Sequence, residues 1–556
     1  MRRRPASLSL CCAALLALAC DGRDKRPTYK PPSTTPARAA AAAEAPPAPF
    51  EPQALAPAEP HPFSVRDLLA LDRVGDPQVS PDGKLVLFTL RQTDLAQNRG
   101  RKDLWVVGLD GKPPTRLTSH PDNEDSPRWL PDGRHLLFLA KHDGKTQVWR
   151  ASLDGDAPAV VTTFPVDVAS FAVSPDGRNL AFSAEVFPDC DAARMLGCTA
   201  ERLAGRKTAG SGQLHTRLFV RHWDTWKDGR RSHLFVWPLD GSRDPVDVAH
   251  ALDADIPSKP FGDAEEYTFT PDGQHLVFSA REAGQTEPWS TNFDLFVAPI
   301  DGATPPKNLT PDNPAWDTGP VFAPDGKTLA YRAMRRPGYE ADRFAVMVRS
   351  WPEGQAKEVS PGWDRSADEL LFSADGALLF VTAQELGQTP LFAVDVGGGT
   401  PRALVGDGAV SQLRRLGDRV LFLHNSLAAP DELRSVDVSG GDLRSHTAVN
   451  KDKLARARTG EVEPLEFIGA DKDTVRGLVV KPVDFDPAKK YPIAFLIHGG
   501  PQGSFGNRWS FRWHPQTYAG AGYGVVMIDF HGSTGYGQAF TDAIQDDWGG
   551  KPLQDL

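Results

Sequence analysis

The run Tyr491-Pro-Ile-Ala-Phe-Leu-Ile-His-Gly-Gly-Pro501 joins an apolar stretch to a glycine turn. A strand that ends this way offers backbone N–H groups to a developing oxyanion. That is half of an acyl-transfer site. The other half is a nucleophilic serine on a strained Gly-x-Ser-x-Gly turn, followed in chain order by an acid and a histidine. A second strand-like run, Tyr523-Gly-Val-Val-Met-Ile-Asp-Phe530, should precede that serine by one helix, and the sequence reaches Leu556 first. Gly532-Ser533-Thr534-Gly535 and Gly503-Ser504-Phe505-Gly506 both lack the glycine two positions before the serine, and no Gly-x-Ser-x-Gly occurs elsewhere. The expectation is that no catalytic triad residue lies within these 556 residues and that the reacting groups follow Leu556.

Such a turn needs a sheet behind it and a wall in front of it. Pro464-Leu-Glu-Phe-Ile and Val475-Arg-Gly-Leu-Val-Val-Lys-Pro482 read as a hairpin leading into the sheet, so residues 451–556 form the start of an α/β-hydrolase domain, incomplete as given. Ahead of it, from about 63 to 450, the chain repeats. Ser80-Pro-Asp-Gly83, Leu130-Pro-Asp-Gly133, Ser174-Pro-Asp-Gly177, Thr270-Pro-Asp-Gly273 and Ala323-Pro-Asp-Gly326 each precede an apolar strand, and Ser373-Ala-Asp-Gly376 and Leu416-Gly-Asp418 are degraded copies. Proline presets the turn, Asp bonds back to local backbone, and Gly takes the left-handed conformation. The Asp positions 82, 132, 176, 272, 325, 375 and 418 recur at close to the period of four-stranded blades, which predicts a seven-bladed β-propeller. The one long gap, from 176 to 272, predicts an insertion at about 185–232 in the third blade. It contains Arg217-Leu-Phe-Val-Arg-His-Trp-Asp-Thr-Trp226, either a binding excursion or a strand packing its tryptophans inward.

A net charge of -10 argues against a nucleic-acid partner, which needs a concentrated basic surface. Residues 1–20 have a basic start and an apolar core, and end at Cys20. They resemble a lipoprotein signal in which Cys20 is acylated, the alternative being ordinary cleavage and release. The expected location is the periplasm or cell envelope, anchored to the membrane by lipid. Residues 21–62, rich in Ala and Pro, read as a disordered tether. In an oxidising compartment Cys190 and Cys198 are expected to pair across a short loop, two free thiols being the alternative.

The blades, together with His498-Gly499-Gly500-Pro501 and His531-Gly-Ser-Thr-Gly-Tyr-Gly537, resemble the prolyl oligopeptidase family of serine peptidases over residues 63–556, most nearly its exported bacterial dipeptidyl and acylaminoacyl peptidases. The resemblance implies a propeller capping a serine hydrolase, short peptides as substrates, and neither metal nor cofactor. By the same comparison the N–H of Gly500 is one oxyanion donor, and His498 shapes the turn without being the triad histidine. Release of dipeptides requires a carboxylate for the free substrate amine, for which Glu185 and Asp189 are the candidates, the alternative being a solvated acidic loop. The competing reading is a non-catalytic, TolB-like propeller that binds a partner.

Overall fold

The computed structural model describes residues 55–142, 144–206, 210, 212, 214–500 and 502–556. The signal segment, Cys20 and most of the tether lie outside the described residues. The last tether residues are ordered, contrary to a tether reaching 62. His61–Pro62 pairs in parallel with Ala457–Arg458, and the N–H groups of His61 and Phe63 donate to the carbonyls of Arg456 and Arg458 at 3.0 and 2.8 Å. These ladder bonds come from backbone, so no side-chain pattern announces them.

Seven four-stranded antiparallel sheets follow among the described residues. The first comprises Arg73–Val79, Leu85–Asp94, Arg99–Gly108 and Thr115–Arg116; the seventh comprises Ala409–Leu416, Arg419–Ser426, Ala429–Asp437 and Arg444–Ser445. The second strand of each is apolar on both faces because each sheet packs between two others. Leu87 and Leu104 of the first sheet, for example, share a core with Leu136 and Phe138 of the second. The Pro-Asp-Gly turns do more than reverse the chain. Gly83, Gly133, Gly177, Gly273 and Gly326 all have φ between 66° and 72°. A Cβ on Gly177 would stand 2.6 Å from Pro131 of the preceding turn, and one on Gly326 3.2 Å from Pro271. Glycine of one turn packs on proline of the previous one, which stacks the turns together.

The ends of the repeat region meet. Val74, Val86 and Phe88 of the first sheet pack with Leu416, Leu421 and Leu433 of the seventh. Asn450 donates to the Asp72 carbonyl and accepts from its N–H, both at 2.8 Å. Among the described residues no blade sheet takes a strand from both ends of the repeat, so side chains join the first sheet to the seventh.

The insertion leaves the third sheet between Asn179–Val186 and Arg231–Pro238. It holds a helix, Met195–Arg206, and a short hairpin, Arg221–His222 with Thr225–Trp226. Trp223 and Trp226 are 69% and 61% exposed, so they do not pack inward as blade residues. Arg231, 5% exposed, ties the insertion down by a bidentate pair with Glu287 at 2.7 and 2.8 Å and by bonds to Asp253 and Asp255.

The C-terminal sheet has four strands: β1 (Val462–Ile468), β2 (Thr474–Val480), β3 (Ile493–Leu496) and β4 (Gly524–Asp529), in the order β1-β2-β4-β3. β3 and β4 run parallel; the other pairs are antiparallel. Arg336 to Asp542 at 2.7 Å, Leu386 N–H to Gly535 O at 3.0 Å, and Asn507 to Asp407 at 3.0 Å fasten this segment to the fifth, sixth and seventh sheets.

Candidate active site

β3 alternates. Ala494 and Leu496 enter a core with Val480, Ala519, Val525 and Met527, and Ile493, Phe495 and Ile497 stand exposed on the other face. The chain then turns at Gly499-Gly500. Gly500 has φ 141°, and a Cβ there would lie 2.8 Å from the Gln502 nitrogen, so the turn requires glycine. Gly500 is exposed, and its N–H has no hydrogen-bond partner among the described residues. An unpaired N–H in an exposed turn at the carboxyl end of a parallel strand can receive an oxyanion.

His498 braces this turn. Its ring stacks on Phe530 at 4.5 Å, Nε2 lies 2.9 Å from Ser533 Oγ, and Nδ1 lies 3.2 Å from the Gly499 carbonyl. Asp529 is 3.7 Å from the same Nε2. Ser533, His498 and Asp529 thus imitate a triad without being one. Ser533 is wholly buried, and acid and hydroxyl approach one nitrogen, whereas a relay needs them on opposite nitrogens. Asp529 instead gathers the loop, accepting from Ser504 Oγ at 2.6 Å, the Phe505 N–H at 3.1 Å and Tyr536 Oη at 2.6 Å. Burial, with the Asp529 carboxylate beside it, pushes the Tyr536 hydroxyl well above the ordinary phenol range. His531 is likewise committed: Nδ1 meets Asp555 at 2.6 Å and Nε2 meets Asp473 at 3.2 Å.

Glu185 and Asp189 do not converge on this turn as free carboxylates. Glu185 is held between Arg230 and Lys259, each at 2.9 Å. Asp189, 70% exposed, is taken bidentately by Arg202 at 2.6 and 2.8 Å, which holds its carboxyl below the usual range. A carboxylate already neutralised by a fixed cation gains little from a substrate amine. Cys190 and Cys198 beside them form a disulfide, with Cα atoms 6.1 Å apart. The residues that sequence reasoning missed lie in the loop after Ala333. Tyr339 stands beside Asp542 and Gln502, two residues beyond Gly500. The neighbouring Glu340 is exposed, near His222 and Arg281, and makes no hydrogen bond or ion pair among the described residues. No local sequence signal marks it; only the fold, which leaves its carboxylate without a bonded cation among the described residues, does.

Residues 71–194 match the TolB beta propeller domain and residues 509–556 the prolyl oligopeptidase family. The chain is 30% identical to dipeptidyl-peptidase 5 of Porphyromonas gingivalis over 500 residues, covering 88% of this chain and 70% of that protein. It is 33% identical to dipeptidyl-peptidase 5 of Trichophyton equinum over 377 residues, which are 64% of this chain and 52% of that one. The chain therefore spans about half the length of such fungal relatives. Among solved structures, an acylaminoacyl peptidase in complex with Z-Gly-Gly-Phe-chloromethyl ketone superposes with a TM-score of 0.69 at 18% identity, over 89% of this chain and 71% of that one. A Mycobacterium tuberculosis puromycin-hydrolyzing peptidase does so with a TM-score of 0.60 at 18% identity, over 91% and 73%. Stacked four-stranded sheets, a strand ending in an open glycine turn, and the extent of these matches make one assignment: the chain belongs to the prolyl oligopeptidase family of serine peptidases.

Proposed function

We propose that the whole protein is a serine exopeptidase that releases dipeptides or acylated residues from short peptides. The N–H of Gly500 at the end of β3, unpartnered among the described residues, carries this reading. In it the seven sheets act as a seven-bladed cap, and the hydrolase sheet continues past β3 with the strand that carries the serine. Without that serine there is no covalent step, so residues 1–556 alone are inactive. Glu340 replaces Glu185 and Asp189 as the group that meets the substrate amine, because its charge is not already spent.

The test uses a fluorophosphonate probe with a dipeptidyl chromogenic substrate. A polypeptide ending at Leu556 should neither be labelled nor turn over substrate, and one that continues through a downstream Gly-x-Ser-x-Gly should do both. Labelling of the shorter polypeptide would refute its inactivity. A reading frame that lacks the motif within about fifty codons of Leu556 would favour the TolB-like binding protein instead. The match of residues 71–194 to a TolB beta propeller is common to both readings and does not separate them.

The protein is further proposed to be held at the cell envelope by lipid on Cys20. Intact mass of membrane-extracted protein decides this, since a mature start elsewhere without lipid mass rejects it.

A further inference from the structure

Arg73 and Arg91 face each other across the first two strands of the first sheet, and Lys102 faces Arg91 from the third. Like charges directly opposite on a ladder destabilise it. Lys102 is matched by Asp125. The two arginines are not matched. Nε of Arg73 and Nη1 of Arg91 are buried without a hydrogen-bond partner, and neither guanidinium has an ion pair among the described residues. Burial and the neighbouring Arg91 bring Arg73 down to about 10. A pair of orphaned guanidinium groups costs stability unless an anion joins them.

Both open onto a cavity of about 700 Å³. Its walls come from the inner strands of the first, second, third and seventh sheets and from Asp263 to Glu265 ahead of the fourth, so it lies along the ring axis. Of the acids that line the same cavity, Asp125 and Asp76 are ion-paired, whereas Asp263 and Glu265 have no ion pair among the described residues. Asp76 is bound by Arg128 at 2.7 Å and by Arg414 at 3.5 Å. Glu265 is raised to about 6 by burial, Glu369 and Asp263. The Arg73 guanidinium also lies 3.9 Å over the ring of Phe511. That places the arginines at the end of the ring that meets the C-terminal segment, the same segment that carries Gly500.

We propose that Arg73 and Arg91 bind the terminal carboxylate of a peptide held in the ring cavity. The proposal rests on the peptidase reading and deepens it. Guanidinium groups grip carboxylates through paired, charge-assisted bonds, and a cavity of this size suits a short peptide. The anchor selects by length and by end group: a peptide with a free carboxylate within reach is held, and a chain whose carboxylate lies elsewhere is not.

Calorimetry on the 556-residue chain with tetra-alanine and its C-terminal amide tests this. The free acid should bind roughly tenfold to hundredfold more tightly than the amide, as expected for bonds to a charged group. Arg91→Gln should abolish the preference while keeping the melting temperature unchanged or higher, since one like charge is removed; Arg73→Gln serves as the second variant. Equal binding of acid and amide by the wild type overturns the anchor and leaves the peptidase reading standing. A preference that persists in both variants also overturns it. Binding of neither peptide at millimolar concentration overturns the anchor, while the peptidase reading stands or falls by the fluorophosphonate test on the longer polypeptide.

Discussion

His514 sits sealed between Trp509 and Phe63, with ring centroids 3.9 and 5.8 Å away. Its Nδ1 accepts from the Gln516 N–H at 3.2 Å, capping the helix Pro515–Gly520. Burial brings it down to about 3 from an ordinary 6.5. The folded state therefore keeps this ring neutral where the unfolded chain takes up a proton, so its stabilising effect is full above about 6.5 and is lost as pH falls toward 3. Replacing His514 with Asn keeps a capping side chain and removes the titration. Between pH 7 and 4.5 the wild type should lose about 1–3 kcal/mol more than His514→Asn, read from urea midpoints; parallel losses in the two proteins would reject the assignment. At this scale the sequence was partly legible. Gly500 stood out because a glycine turn after an apolar strand has few other uses. Glu185 and Asp189 could be read as acids, but Arg230, Lys259 and Arg202 lie 45, 74 and 13 residues away from them in sequence, and nothing local shows that they close on those carboxylates.

β3 is the exposed element. It pairs with β4 on one side and with no strand on the other among the described residues, and Ile493 and Phe495 are 62% and 40% exposed. An open, apolar strand edge is a template for pairing with a second chain. Phe495→Lys should lower light scattering of the 556-residue chain at a given concentration and change its stability by no more than about 0.5 kcal/mol, the usual range for a surface position. Unchanged scattering would mean that this edge is not where chains associate. The propeller turns show the complementary case. Pro-Asp-Gly predicts a tight turn wherever it occurs, because φ preferences are local. That Gly177 also seats Pro131 is a property of two sheets already packed together.

For the molecule as a whole, ring closure depends on few groups. Asn450, fully buried, joins residues 378 positions apart through two hydrogen bonds between its side-chain amide and the Asp72 backbone. Asn450→Ala would leave the Asp72 N–H and carbonyl unpaired, at a cost of about 2–4 kcal/mol. The urea midpoint should fall accordingly, and a loss under about 1 kcal/mol would show that the apolar contacts of Val74 and Phe88 with Leu421 and Leu433 suffice for closure. By itself the sequence determined the repeated hairpins, their spacing, the insertion and the glycine turn after β3, because hydrophobic alternation and turn chemistry act within a few residues of chain. Only the tertiary structure decided which carboxylates stay free, that Ser533 is walled in against His498, and that Arg73 and Arg91 face a common cavity with no ion pair among the described residues. Those outcomes depend on which distant side chains arrive first at each charge. The ion pairs and packing that settle them form between sheets far apart in sequence.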